Sequence, residues 1–276
     1  MKSLSAIILG AGMGKRMKSD LPKVVHPVAG APMVRWVADA CAEAGCGRIV
    51  VVVGHQHERV RAVFAGADAA SPRGSFARSP AIEFVLQQPQ LGTGHAVLCA
   101  KPLFEREVSE PGHGIFVLAG DGPLIRAATL ARMLERHRAS NAVATIATSV
   151  IPDPTGYGRI IRDDRGRFRA IVEDRNCTEP QRLIREVNPS YYCFDARALF
   201  EALTCVQRNE VSGEYYLTDV LEVLLRAGRT VEVIDAVPPE DVLSINTPEQ
   251  LAEVDRILRA RLARSHSAPR ALGGAA

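Results

Sequence analysis

The residues Leu9-Gly10-Ala11-Gly12-Met13-Gly14-Lys15-Arg16-Met17 close a short apolar run, and Leu21-Pro22-Lys23 stands a few residues further on. A strand that ends in a glycine-rich turn lets backbone N–H groups approach an anion, because no side chains stand between them. Arg16 and Lys23 follow at once and supply two cations for phosphate oxygens. The chemistry in view is the handling of a phosphorylated ligand over Leu9, Gly10, Ala11 and Gly12. The turn is not a P-loop, since the GxxxxGK[ST] spacing is absent. Nor does it complete the dinucleotide fingerprint: Gly54 and His55 stand where an acidic residue would end the second strand. The competing reading of Arg16 and Lys23 is a solvated helix face, and their place beside the turn and Pro22 argues against it.

Further polar groups fall at strand ends. Gln87 follows the third strand, with Gly92 and Thr93 shortly after. A side-chain amide offers one acceptor and two donors, enough to pair with the edge of a base. Gly92 permits close backbone approach, and Thr93 can hydrogen-bond a base or ribose. Asp121 ends the fourth strand; it reads either as a carboxylate facing a cleft or as a turn residue before Gly122-Pro123. Asn246-Thr247-Pro248 is a good helix start, with Thr247 as N-cap and Pro248 at the first helical position. Gly156-Tyr157-Gly158-Arg159 is a tight turn before a strand, and Tyr215 reads as a packed aromatic as readily as a site residue. His26 and His95 read as structural.

The elements that hold these groups alternate in the first half, strands (6–9, 49–53, 82–86, 115–118, 142–149) with helical patterns (33–44, 55–64, 94–101, 127–140). Apolar strands alternating with helices of about ten residues indicate a mostly parallel α/β sheet covered on both faces. In the second half, strands at 158–162 and 170–173 flank the turn Asp163-Asp164-Arg165-Gly166. A strand at 190–194, helices at 197–203 and 215–225, a strand at 230–234 and a closing helix at 248–264 follow. This half is expected to add β-rich structure over the open edge of the sheet. Residues 67–80 read as a mobile surface loop and 265–276 as a disordered tail. The division expected is one domain over 1–264, in two halves, 1–150 and 151–264.

The 276 residues suffice for a packed core, and a net charge of +3 spread along the chain gives no basic face for nucleic acid. No apolar run approaches the roughly 18 residues of a membrane span, and no signal peptide is visible. Six cysteines without CxxC spacing read as reduced, buried residues of a cytoplasmic protein rather than as a zinc site.

The segment LGAGMGKRMKSDLPKVVHPVAGAPM resembles the signature of the bacterial N-acetylglucosamine-1-phosphate uridylyltransferases, within the sugar-phosphate nucleotidyltransferases. LQQPQLGTGHAV (86–97), GDGPLI (120–125), DPTGYGRI (153–160), IVED (171–174), GEYYLTD (213–219) and SINTPEQL (244–251) continue it in the same order, to about residue 260. The resemblance implies a Rossmann-like, mostly parallel mixed sheet with a smaller β-rich sugar-binding part. It implies uridine recognition by Gln87, Gly92 and Thr93, and Mg2+ held by Asp121 and Asn246. It also implies sugar contacts at Gly158, Glu173, Asn188, Tyr215 and Thr218. Pro189 and Ser190 replace the family's polar residue and glycine after Asn188, and Ala119 stands where some members carry a tyrosine; both departures bear on the sugar.

The implied reaction joins UTP and N-acetylglucosamine 1-phosphate, giving UDP-N-acetylglucosamine, a peptidoglycan precursor for cell wall biogenesis, and pyrophosphate. The attacking phosphate carries about −1.5 to −2 charge near pH 7 and needs no general base. Positioning and charge neutralisation are then the catalytic means, with Arg16 and Lys23 on the triphosphate. Another sugar 1-phosphate, dTTP in place of UTP, or a catalytically silent nucleotide-sugar binding module are the alternatives. No hexapeptide repeat follows residue 260, so the acetyltransferase β-helix of bifunctional members is not expected here, and the oligomeric state is left open.

Overall fold

The computed structural model describes residues 3–65, 71–73 and 79–267, with backbone alone for 265–267. In chain order the strands and helices are β1 (Leu4–Leu9), β2 (Pro27–Val28), β3 (Ala31–Pro32), α1 (Met33–Glu43), β4 (Arg48–Val53), α2 (His57–Ala62), β5 (Ala81–Leu86) and α3 (Thr93–Ala100). Then come α4 (Glu105–Ser109), β6 (Gly114–Ala119), α5 (Ala127–Ala139), β7 (Ala144–Val150), β8 (Gly158–Arg162), β9 (Phe168–Val172) and α6 (Glu179–Arg182). The chain closes with β10 (Glu186–Asp195), α7 (Ala196–Leu203), α8 (Asp219–Arg226), β11 (Val231–Asp235) and α9 (Pro248–Ser267).

The main sheet runs β11-β7-β10-β6-β1-β4-β5, with the β8–β9 hairpin branching from β10. β1 pairs in parallel with β4 and β6, and β4 with β5. These strands are apolar on both faces because both faces are covered. Ile7, Val50, Val52, Ile115 and Val117 point toward α3, α7 and α8 in one buried cluster. Their neighbours Ala6, Ile8, Val51, Phe116 and Leu118 point toward α1 and α5 in another. A third cluster, with Met33 and Trp36 of α1 and Val254 and Leu258 of α9, seats the last helix. The fold is therefore the Rossmann-like mixed sheet expected.

Four local expectations are corrected. The second half does not merely cover an open edge: β10 lies inside the sheet, antiparallel to both β6 and β7. The two halves of the chain thus share one sheet. The closing helix continues to Ser267 rather than ending near 264. Arg261 anchors it, donating to Leu124 O at 2.7 Å and pairing with the buried Asp241. Residues 268–276 of the expected tail lie outside the described residues. In the loop expected at 67–80, Ser71 Oγ donates to Asp39 Oδ2 at 2.6 Å, and Arg73 donates to Ile125 O at 2.8 Å. Those residues are held, and most of the remaining loop lies outside the described residues. Among the cysteines, Cys99 is half-buried and Cys205 exposed, against the expectation of burial; all six are free. No helix among the described residues is long and apolar enough to cross a membrane.

Candidate active site

Because β1, β5 and β6 run parallel, their C-terminal ends share one edge of the sheet, where Leu9, Gln87 and Asp121 meet. Open α/β sheets bind ligands at this edge. Gly10 N donates to Val52 O at 2.8 Å, so the turn leaves β1 pressed against β4. Gln90 Nε2 donates to Ala11 O and ties the turn to the segment after β5. Gly14 has φ 64°, and a Cβ there would lie 2.7 Å from Lys23 Cβ, so the turn and the lysine pack directly together.

Lys23 Nζ forms an ion pair with Asp121 Oδ2 and donates to Asn246 Oδ1 at 2.6 Å. Arg16 Nη2 donates to the same Asn246 oxygen at 2.9 Å. The asparagine is aimed by its surroundings: its N–H donates to Gln250 Oε1 at 2.7 Å and its Nδ2 to Ser244 Oγ at 3.2 Å. Thr247 Oγ1 accepts from Gln250 N at 3.3 Å, the helix cap read from the sequence. Ile245 N donates to Asp121 O at 3.0 Å, which locks the start of α9 to the end of β6. Two hard oxygens from distant parts of the chain therefore converge on one cationic atom. That donor set fits magnesium, which takes few protein oxygens and completes its shell with water and phosphate. No group of three or more His, Cys, Asp or Glu side chains converges among the described residues.

A cavity of about 580 Å³ opens beside this cluster. Leu9, Ala11 and Gly12 form one wall, and Gln87, Gly92 and Thr93 an adjoining one. Asp121, Glu173 and Thr218 also line the cavity. Gly92 has φ 99°, and a Cβ on it would lie 2.6 Å from Tyr215 O; only glycine lets the segments around 92 and 215 pair. Gly94 N donates to Tyr215 O, and Tyr215 N to Leu91 O, both at 2.8 Å. Thr218 Oγ1 is buried with no hydrogen-bond partner among the described residues. A buried orphan hydroxyl on a cavity wall is the kind of group a ligand satisfies.

Burial pushes the Glu173 carboxyl above its ordinary range, against the opposing pull of Arg175. Thr218 lowers it slightly, although the threonine hydroxyl forms no well-directed hydrogen bond. Asp219, one residue beyond Thr218, is pushed up to about 6, by burial first and by Glu222 second.

Several residues read from the sequence sit otherwise than expected. Thr93 lines the cavity, yet its hydroxyl accepts from Leu217 N at 3.0 Å and so helps fasten the 215–218 segment. Asn188 does not reach the cavity: its Nδ2 donates to Tyr192 Oη at 2.6 Å and its Oδ1 accepts from Ser190 N at 3.0 Å. Asn188 thus shapes the irregular turn in β10 that puts Ser190 at φ 65° on the cavity wall. Gly158 lies opposite Asn188, and a Cβ on it would stand 3.8 Å from Glu173 Oε2. Tyr215 packs into the core, and its neighbour Tyr216 lines the cavity instead. The sequence reading missed Tyr216 and Arg175, whose guanidinium bonds the Tyr216 hydroxyl and lies 5.3 Å from the centre of its ring. The paired tyrosines of GEYYLTD were the signal; which one faces inward depends on the pairing of 215 with 91–94.

A mixed α/β sheet with a glycine turn, two cations and a carboxylate–amide pair at its C-terminal edge defines a nucleotidyltransferase-type domain. The model of the MobA-like NTP transferase domain matches residues 6–211, and the chain belongs to that family. It is 44% identical over 264 residues to the bifunctional protein GlmU of Heliobacterium modesticaldum, covering 96% of this chain and 54% of that protein. It is 42% identical over 264 residues to the same-named protein of Geobacter metallireducens, covering 96% and 52%. The chain thus spans about half the length of these relatives. Among solved structures, a UDP-glucose pyrophosphorylase complexed with UDP-glucose superposes with a TM-score of 0.72 at 16% identity, covering 94% of this chain and 99% of that one. An apo UDP-glucose pyrophosphorylase gives 0.74 at 17%, with the same coverage.

Proposed function

We propose that this domain transfers a uridylyl group from UTP to the phosphate of N-acetylglucosamine 1-phosphate, releasing pyrophosphate, with magnesium. The observation that carries the reading is the convergence of Lys23, Arg16, Asp121 and Asn246 beside a cavity that runs from Gln87 to Glu173 and Thr218. The similarity to proteins called bifunctional GlmU supports this substrate pair. Glycine-turn amides and Arg16 hold the triphosphate. Lys23, freed from Asp121 by the incoming nucleotide, moves its charge onto the departing pyrophosphate. Asp121 and Asn246 would hold the magnesium, which neutralises phosphate charge when bound. The sugar lies toward Glu173 and Thr218, whose unpaired hydroxyl supplies a donor. The nucleophilic oxygen is already anionic, so these residues orient and neutralise rather than move protons. A soluble, cytoplasmic setting accords with this chemistry.

Pyrophosphate release with UTP and a panel of N-acetylglucosamine, glucose and galactosamine 1-phosphates tests the substrate. N-acetylglucosamine 1-phosphate is expected to give the highest kcat/KM. A clear preference for another sugar would overturn that assignment and direct attention to the Ser190 side of the cavity.

A further inference from the structure

Gln87 is 5% exposed at the end of β5. Its Nε2 lies 2.9 Å from Gly92 O and 3.2 Å from His95 Nδ1. A carbonyl oxygen only accepts, so the end of the amide facing Gly92 is the NH2 group. That group has two hydrogens and here two acceptors. His95 Nδ1 must then offer its lone pair, with the ring proton on Nε2; Cys99 Sγ lies beside the ring, 3.8 Å from Nε2 and 4.0 Å from Nδ1. The amide oxygen of Gln87 has no hydrogen-bond partner among the described residues, and the residue lines the cavity. His95 itself does not line it.

We infer that His95 is a positioning residue that fixes the polarity of the Gln87 amide, so that the site presents an acceptor and selects a pyrimidine with a ring N–H. The inference rests on the proposed base-binding role of Gln87. Uracil and thymine carry a hydrogen on N3, which donates to the amide oxygen. Cytosine carries a lone pair there and is turned away. Without His95 the amide keeps only the Gly92 carbonyl as a fixed partner and turns more freely, so the wrong base is tolerated better. A site that hydrogen-bonds its substrate discriminates through the group left unpaired by the wrong one.

The test is steady-state kinetics with UTP and CTP on His95→Leu, His95→Asn and Gln87→Ala. In His95→Leu the KM for UTP should rise about three- to tenfold, and the UTP-over-CTP ratio of kcat/KM should fall about tenfold, as for one lost hydrogen bond. The kcat at saturating UTP should fall far less than KM rises. Asparagine places an acceptor near the position of Nδ1, so His95→Asn should recover most of the selectivity. If Gln87→Ala raises the KM for UTP while His95→Leu keeps wild-type selectivity, the inference fails and the base-binding role stands. If Gln87→Ala has no effect on UTP, the base-binding role itself fails. If both His95 variants lose kcat equally with selectivity intact, the histidine is structural and the inference is overturned.

Discussion

Gly92→Ala tests the link between chain pairing and the site. Gly92 sits at φ 99°, ψ 178°, a region open essentially to glycine alone. Forcing alanine into it costs about 1–3 kcal/mol. The added Cβ would also lie 2.6 Å from Tyr215 O and 2.9 Å from Glu214 Cβ, with backbone on one side and no flexible side-chain end to yield. Relief requires the 215 segment to move away, which breaks the bonds from Gly94 N and Tyr215 N, at about 1 kcal/mol each. The sum is about 3–5 kcal/mol, a large share of a stability of about 5–15 kcal/mol. The same movement displaces Tyr216, Leu217 and Thr218 from the cavity wall, so the KM for both substrates should rise. Gly12→Ala is the control: nothing lies within 4 Å of a Cβ at Gly12, yet the residue lines the cavity. It should leave stability within about 0.5 kcal/mol while weakening nucleotide binding. Denaturant unfolding alongside substrate titration reads both. A Gly92→Ala protein within 1 kcal/mol of wild type by that measurement, with unchanged KM, would refute the reasoning.

Replacing Lys23 by Met removes the cation between Asp121 and Asn246 and should lower kcat about 10²–10³-fold, with a Tm close to wild type; an active variant would remove the lysine from the mechanism. Asp219 holds its proton more tightly folded than unfolded, so its contribution to stability is fully present below about pH 4 and is lost as pH rises through about 6. The rise corresponds to about 3 kcal/mol at full burial, and the half-exposed position of the carboxyl reduces it to about 1 kcal/mol. Unfolding of Asp219→Asn should therefore match wild type at pH 3.5 and exceed it by that amount at pH 7.5; a constant difference at both pH values would refute the assignment. Ser190→Gly relieves a left-handed serine and should gain up to about 1 kcal/mol. It should alter KM for the sugar phosphate but not for UTP, and the reverse pattern would place Ser190 on the nucleotide side.

The strands and helices of the first half were legible because each carries its own pattern. Ile49–Val53, for example, is a run of β-branched residues closed by Gly54. The position of β10 was not legible, since pairing order within a sheet is a long-range property that no local period encodes. The helix expected from Tyr215 starts only at Asp219, because backbone pairing of 215 with 91–94 overrides the local apolar period. In the site, Lys23 was singled out by its place after the glycine turn and Asp121 and Asn246 by the family resemblance, and the structure brings the three together across 223 residues. Asn188 shows a second role that no motif reveals: a side-chain amide serves a backbone turn as readily as a ligand, and here its Oδ1 accepts from Ser190 N.

The most direct measurement is pyrophosphate release by the purified protein with UTP, N-acetylglucosamine 1-phosphate and Mg2+, set beside Asp121→Ala of equal Tm. Turnover by the wild type, lost in the variant and absent without Mg2+, is the expected result. A wild-type protein that binds UTP but releases no pyrophosphate with any sugar 1-phosphate, or an Asp121→Ala protein as active as wild type, would contradict it.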